Sequence, residues 1–240
     1  PGAGKTLWLG NVAMAAMKEG KKVVVFSLEV NERRLLTRYY QSIFNKTKQE
    51  VLEMNPADAE QLFNMDNSGR IKIKTYKANT ASSNDFAAYL GDLKTYENFE
   101  PDAIIVDYVG IMSINDRTIS KDNSYQYVKI ATEELRNLAC EFHCPVFTAG
   151  QINREGMGDK GGSKGVVTTK DIAESRGIVD TADYIIDICQ TAAEKYTDQK
   201  TKTDGIYRLR VDKDRNGESG AEVKFNIHWP TLQLSESHEK

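Results

Sequence analysis

The first residues of the sequence have the types and spacing of a phosphate-binding loop. The segment PGAGKT, residues 1–6, fits the end of the pattern G-x-x-x-x-G-K-[ST], whose first glycine we expect before residue 1. Small residues such as Gly2 and Gly4 let backbone N–H groups close around phosphate oxygens. Lys5 can add a positive charge at the β and γ phosphates of ATP, and the Thr6 hydroxyl can ligate Mg²⁺. The segment predicts an ATP and Mg²⁺ site at the start of a helix over 6–19; the alternative is a glycine-rich turn without a ligand.

Polar side chains follow apolar segments that have the composition of buried parallel strands. The run AIIVD, residues 103–107, ends in Asp107, where a carboxylate can reach a Mg²⁺ held by Thr6, partly through water. Glu29 follows the β-branched run over 22–28, and Gln151 follows a third apolar segment over 145–149. A polar residue in the position of Gln151 can sense a γ phosphate and relay its loss to the next loop. The alternative for Asp107 is a residue that only caps a turn.

A glycine-rich segment over residues 154–170 carries cations at Arg154, Lys160, Lys164 and Lys170. A pliable backbone with lysines is suited to a sequence-independent grip on the phosphate backbone of a nucleic acid. The same composition is typical of any solvated loop, so composition alone leaves both interpretations open.

Two alternating segments near the end of the chain predict a β-hairpin. Apolar residues alternate with polar ones over 207–211 and again over 223–227, and the connection carries Lys213 and Arg215. Cations on a rigid hairpin can enter the phosphate site of a neighbouring subunit as an arginine finger, and the alternative is an ordinary solvated turn. The polar chain from Trp229 onward is expected to fray.

These residues must be positioned by alternating strands and helices, which is the pattern of an α/β fold with a mostly parallel sheet. Further helices are predicted over 32–44, 84–96 and 124–142, and further strands over 70–76 and 184–189. A phosphate-binding loop normally follows a buried strand, so we expect the first strand to precede Pro1. The interpretation is a single large domain.

Composition narrows the class of protein. The chain has 240 residues, of which 28% are charged, with a formal net charge of −3, so any contact with nucleic acid must be local. No apolar run in the sequence is long enough to span a bilayer. Only three cysteines occur, which favours a reducing, cytoplasmic setting over a disulfide framework.

In the order of these motifs, the sequence resembles the DnaB-like replicative helicases, and most of all the hexameric helicases of T-even-type bacteriophages. The resemblance is carried by the strings FSLE, IIVDYVGI, NSYQYVKIATEELRNLA, DIAESRGIVDTAD and KDRNG, and it extends over residues 1–234. It implies a RecA-like ATPase domain over 1–234, with residues 235–240 as a tail. It also implies an ATP-driven motor that forms a homo-oligomeric ring, unwinds duplex DNA, and has a primase and a helicase loader as partners.

The resemblance assigns roles to individual residues. Lys5 and Thr6 match the nucleotide and Mg²⁺ residues, and Glu29 matches the glutamate that polarises the attacking water. Asp107 matches the aspartate near the metal, and Gln151 the phosphate sensor. The basic pair Lys213 and Arg215 matches residues supplied in trans to the ATP of the next subunit.

The loops after Asp107 and Gln151 match those lining the DNA channel, which strengthens the DNA-binding interpretation of the loop cations. The sequence departs from the family pattern at Ala173, where many cellular members have arginine, and at Arg176, where glycine is common. We therefore expect Arg176 to supply the missing DNA-binding cation. Two other functions remain open: a recombinase-type ATPase that coats DNA as a filament, and a clock-type ring that acts as a nucleotide switch.

Overall fold

A computed structural model describes residues 4–58, 70–116, 118–121, 124–150 and 176–237, with only the backbone at Ser124, Arg176 and Ala192. Within these ranges, no helix has the length and apolar character needed to cross a membrane.

The centre of the fold is a four-stranded parallel sheet in the order β2-β1-β3-β4. Its strands are β1 (Val23–Ser27), β2 (Ile71–Thr75), β3 (Ala103–Asp107) and β4 (Val146–Thr148). Every residue of β1 and β3 is buried, because helices cover both faces of the sheet, and this is why their sequences are almost entirely apolar. The predictions of these strands are confirmed.

Helices flank this sheet on both sides, as the sequence predicts. Their bounds are α1 (Lys5–Lys18), α2 (Glu32–Ile43), α3 (Lys48–Glu53), α4 (Ser83–Glu97) and α5 (Ser124–Glu141). The Asn31 side chain caps α2 by accepting a hydrogen bond from the Arg34 N–H at 3.0 Å. Ser82 and Asp85 form a capping box at the start of α4.

The strand residues alternate between two cores. Val23 and Val25 point into a core shared with α1 and α2, whereas Val24 and Phe26 point into one shared with α4 and α5. In the second core the rings of Phe26 and Phe86 stack with their centroids 4.3 Å apart. Both sets of helices are thereby held in place against β1 and β3.

The C-terminal part forms a second, antiparallel sheet in the order β5-β6-β7-β8. Its strands are β5 (Tyr184–Cys189), β6 (Asp204–Asp214), β7 (Glu222–His228) and β8 (Gln233–Glu236), and the short helices α6 (Arg176–Thr181) and α7 (Ala192–Lys195) accompany it. The predicted hairpin is confirmed as β6 and β7.

The expectation that the chain frays from Trp229 is wrong. Residues 233–236 pair with β7, and Leu234 packs with Ile227 in the core of the second sheet. The Trp229 indole donates a hydrogen bond to the Lys195 carbonyl oxygen at 2.7 Å. The polar strand β8 is ordered because it pairs with the edge of β7 and because Leu234 within it and Trp229 before it are held in place by these contacts.

Helix α1 joins the two sheets. Ala13 and Met17 pack in the core beneath the parallel sheet, whereas Leu7 and Trp8 pack against the core of the antiparallel sheet. The rings of Trp8 and Phe225 lie 6.0 Å apart. The start of α1 is therefore fixed by both sheets, which positions the residues of the predicted phosphate loop.

Candidate nucleotide-binding site

The start of α1 has the geometry of a phosphate-binding turn. Gly4 precedes the helix with a φ of 81°, in the left-handed region that favours glycine. A Cβ atom at this position would overlap the Tyr207 hydroxyl oxygen. The Gly4 carbonyl accepts the first helical hydrogen bond from the Trp8 N–H at 2.9 Å, so the N–H groups of the preceding turn have no partner within the helix. Such N–H groups, at the positive end of the helix dipole, suit a phosphate.

The carboxyl ends of β1 and β3 meet beside this turn. Ser27 and Asp107 are partners in the strand register, and the Leu28 N–H donates to the Asp107 carbonyl oxygen at 2.9 Å. Glu29 therefore emerges at the same edge of the sheet as Asp107, as the parallel arrangement requires. The Glu29 side chain is exposed, whereas Asp107 is only 2% exposed.

Asp107 carries a buried carboxylate at the end of β3. Neither of its side-chain oxygens has a hydrogen-bond partner within the described ranges. Burial raises the pKa of Asp107 above its ordinary value, and the neighbouring Thr6 hydroxyl opposes this effect without completing a hydrogen bond to either oxygen. The negative charge of Glu29 raises the pKa further, and Lys5 lowers it. A buried carboxylate beside a hydroxyl supplies oxygen ligands of the kind that Mg²⁺ prefers.

The described residues contain no cluster of three or more His, Cys, Asp or Glu side chains that could hold a metal by themselves. An ion at Thr6 and Asp107 would therefore complete its shell with phosphate oxygens and water, which is the usual situation for Mg²⁺ in nucleotide sites.

The Lys5 side chain lies in the same site, close enough to Glu29 and Asp107 to be affected by their charges. Burial lowers the pKa of Lys5, and the charges of Glu29 and Asp107 raise it in part. Its Nζ atom lies 4.3 Å from the centroid of the Tyr108 ring. The structure thus brings Lys5, Thr6, Glu29 and Asp107 together, in agreement with their predicted association.

Two further residues shape the site and were missed by the sequence analysis. Arg38 of α2 lowers the pKa of Asp107 by its charge, which places a second cation near the carboxylate. The sequence offers one signal for Arg38. This residue is the neighbour of Tyr39 on the amphipathic helix α2, so its side chain lies at the edge of the buried face of that helix. Thr148 donates to the Val106 carbonyl oxygen at 2.8 Å and accepts from the Val109 N–H at 3.1 Å. It fixes the turn after Asp107, and nothing in the sequence of β4 indicates this role.

The predicted trans-acting residues lie at the end of β6 and just beyond it, against the last residues of α6 and the two residues that follow. Lys213 Nζ donates to the carbonyl oxygens of Val179 at 2.5 Å and Ala182 at 2.8 Å. Arg215 Nη1 lies 2.6 Å from Asp183 Oδ1, and the Arg215 N–H donates to the Asp183 carbonyl oxygen at 3.0 Å. Both cations are therefore anchored to residues 179–183 of their own chain.

The other predicted site residues fall outside the described ranges. These are Gly2, Gln151, Arg154, Lys160, Lys164 and Lys170, together with the side chain of Arg176. Their roles stay predictions.

A parallel sheet flanked by helices, with a phosphate-binding turn at the start of α1 and acidic side chains after β1 and β3, defines a P-loop protein of the RecA-like α/β class. The chain belongs to the DnaB-like helicase C-terminal domain family, whose model matches residues 1–232. The family resemblance noted in the sequence is thereby confirmed.

Curated relatives come from a bacteriophage and from bacteria. The chain is 31% identical to a DnaB-like replicative helicase of Enterobacteria phage T4 over 194 residues, which cover 78% of this chain and 40% of the relative. It is 27% identical to the replicative DNA helicase DnaB of Buchnera aphidicola subsp. Acyrthosiphon pisum, covering 95% of this chain and 49% of the relative. The chain thus spans about half the length, or less, of these relatives.

Solved structures agree on the fold. A solved ATPase domain superposes with a TM-score of 0.79 at 17% identity, covering 99% of this chain and 82% of that structure. A DnaB-like replicative helicase, studied with its interactions with primase, superposes with a TM-score of 0.72 at 16% identity, covering 96% of this chain and 56% of that structure. The predicted fold class is confirmed.

Proposed function

We propose that this chain is the ATPase motor domain of a replicative DNA helicase that translocates on single-stranded DNA as a homo-oligomeric ring, and that the ring is a hexamer. Membership of the DnaB-like family supports the helicase assignment. The observation that carries the proposal is the buried Asp107 carboxylate at the end of β3, which has no hydrogen-bond partner among the described residues and lies beside Lys5 and Thr6, on the same edge as Glu29. This arrangement has little value for stability and is suited to binding a nucleotide and a cation.

In this proposal Lys5 and the N–H groups at the start of α1 bind the β and γ phosphates of ATP. Thr6 and Asp107 would hold Mg²⁺, partly through water, and the ion would neutralise charge on the phosphates. Exposed Glu29 orients and polarises the attacking water, and Arg38 adds positive charge near Asp107.

The site is completed by a neighbouring subunit in this proposal. Lys213 and Arg215 enter the phosphate site of the next subunit, where they stabilise charge as hydrolysis proceeds. Gln151 senses the γ phosphate and changes the conformation of the following loop, whose cations Arg154, Lys160 and Lys164 contact DNA together with Lys170 and Arg176. A primase and a helicase loader are the proposed protein partners.

The test is steady-state ATP hydrolysis by the full-length protein, with and without single-stranded DNA, followed by unwinding of a forked duplex. Strong stimulation by DNA and ring-shaped particles in electron microscopy are the expected results. Hydrolysis that does not respond to DNA would favour the nucleotide switch, and open filaments on DNA would favour the recombinase-type ATPase.

The role of Glu29 is tested by Glu29→Gln. We expect ATP binding to be unchanged and turnover to fall by at least ~100-fold, since the variant keeps the shape of the side chain but loses its charge. Glu32→Gln, at the exposed start of α2, is the matched control and should hydrolyse ATP normally. An unchanged hydrolysis rate in Glu29→Gln would remove Glu29 from the catalytic role.

A further inference from the structure

Both proposed trans-acting cations are held by one short piece of chain. Residues 179–183, at the end of α6 and just beyond it, provide the two carbonyl oxygens bound by Lys213 and both the carboxylate and the carbonyl oxygen bound by Arg215. The position of the cations is therefore coupled to the position of α6.

Asp183 is the residue through which this segment contacts the guanidinium. Its Oδ1 atom lies 2.6 Å from Arg215 Nη1 and 3.2 Å from Arg136 Nη2 on α5. Arg136 also donates to the Thr181 carbonyl oxygen at 3.1 Å. One carboxylate thus connects the hairpin to α5, and two contacts from Arg136 keep the end of α6 in place.

Helix α6 is itself packed closely on its surroundings. A Cβ atom at Gly177 would lie 2.8 Å from the Lys129 Cβ atom, so only glycine permits this approach of α6 to α5. A Cβ atom at Gly150 would lie 2.7 Å from Ile178 Cδ1. The Ile178 side chain therefore reaches the residue immediately before Gln151, the proposed phosphate sensor.

We propose that Asp183 is a positioning residue for Arg215, and that α6 couples the Gln151 end of β4 to the cations that act on the next subunit. The inference rests on the proposed function, because it requires Arg215 to act in trans. A shift of Ile178 moves α6 as a unit, and the carbonyl oxygens of Val179 and Ala182 carry that movement to Lys213. Asp183 carries it to Arg215.

The exposure of the ion pair fits this role. The Arg215 and Asp183 side chains are 39% and 55% exposed, so the pair contributes little to the stability of the fold and can separate and form again. Loss of the Asp183 charge should therefore leave the domain folded while Arg215 loses its orientation.

The experiment compares Asp183→Asn, Arg215→Ala and the double variant in the full-length protein. Misplacement of a positioned group costs a factor of about 10 to 100, so kcat of Asp183→Asn should fall by ~10- to 100-fold with KM for ATP unchanged. Arg215→Ala should lose more, on the order of 1,000-fold. The double variant should be no worse than Arg215→Ala, because the effect of Asp183 on turnover is proposed to run through Arg215, while Arg136 keeps its hydrogen bond to the Thr181 carbonyl oxygen in each variant. Glu218→Gln, in the same hairpin connection and exposed, is the matched control.

Mixed rings add a readout that a purely structural role would not produce. Asp183→Asn subunits mixed with Lys5→Ala subunits should regain activity at interfaces where an intact P-loop meets an intact Arg215. Thermal unfolding and ring assembly of Asp183→Asn should match the wild-type protein. Asp183→Glu, which keeps the charge, is the conservative variant and is expected to retain most of kcat.

The outcomes separate the two proposals. If Arg215→Ala hydrolyses ATP normally, the trans role of Arg215 in the proposed function is wrong. If Arg215→Ala is inactive but Asp183→Asn is normal, or if the two effects multiply in the double variant, the positioning role of Asp183 is overturned.

Discussion

Replacement of Asp107 by asparagine should stabilise the protein in the absence of nucleotide and abolish its function. The carboxylate is 2% exposed, both oxygens are without partners within the described ranges, and its pKa is raised by burial. An unsatisfied buried polar group costs about 1–3 kcal/mol, and a charged one costs more. Asparagine keeps the polar atoms but removes the charge, so we expect the free energy of unfolding to rise by about 1–2 kcal/mol.

The stabilisation by Asp107→Asn should depend on pH, because it comes from removing a charge that the folded state disfavours. A raised pKa means that the folded state binds a proton more tightly than the unfolded state, so wild-type stability falls as pH rises from the unfolded pKa through the folded one. The advantage of Asp107→Asn should therefore be present at pH 7 and should vanish at a pH below the unfolded pKa of about 3.9.

The assay is thermal unfolding with and without ATP and Mg²⁺. For a domain of this size, 1 kcal/mol corresponds to about 2–4 °C, so Tm without ligand should rise by about 2–8 °C. Saturating ligand at about 100 times Kd adds ~2.7 kcal/mol to the wild-type protein, and the variant should lose most of this gain. Asp92→Asn, on the exposed face of α4, is the control and should change neither value. A Tm equal to or below that of the wild type without ligand would refute the reasoning.

Two further predictions concern backbone conformation and a second buried carboxylate. Gly4→Ala should weaken nucleotide binding by at least ~10-fold in a fluorescence titration, because its Cβ would meet the Tyr207 hydroxyl. Gly20→Ala, at a similar φ of 77° with nothing within 4 Å, should lose about 1–2 kcal/mol of stability but bind normally. Burial, and then the charge of Asp212, raise the pKa of Asp187 from 3.8 to about 6, so wild-type stability should fall as pH rises through this window. The free energy of unfolding, measured by denaturant titration, should fall between pH 4 and pH 7 by about 1 kcal/mol less in Asp187→Asn than in the wild-type protein; this figure allows for solvent screening.

Each of these has an outcome that contradicts it. Equal nucleotide affinities for Gly4→Ala and Gly20→Ala would show that the contact with Tyr207 is not limiting. Parallel pH profiles for wild-type protein and Asp187→Asn would show that Asp187 ionises normally in the folded state.

Much of the parallel sheet could be predicted because its signals are local. A strand covered on both faces must be apolar at every position, and β3 has the bounds of the predicted run over 103–107. The position of Asp107 at the carboxyl end of a strand led to its prediction beside the Mg²⁺ site, whereas the role of Glu29 came from the family resemblance and agrees with its own strand-end position. The hairpin could be predicted because apolar and polar residues alternate along a strand when only one of its faces is buried.

Other features depend on packing that the sequence does not display. Strand β8 is polar and was expected to fray, yet it pairs with β7 because a strand edge is available beside it. Arg38 lies near Asp107 only because α2 packs on the same face of the sheet as α1.

The sequence by itself determined which chemical groups are available: a phosphate-binding turn, acids at strand ends and cations on a hairpin. The tertiary structure alone decided which of them act together. Lys213 and Val179 are 34 residues apart, and their contact exists only because α6 lies against α5. Contacts between distant segments depend on the packing of whole elements, and so a local pattern cannot specify them.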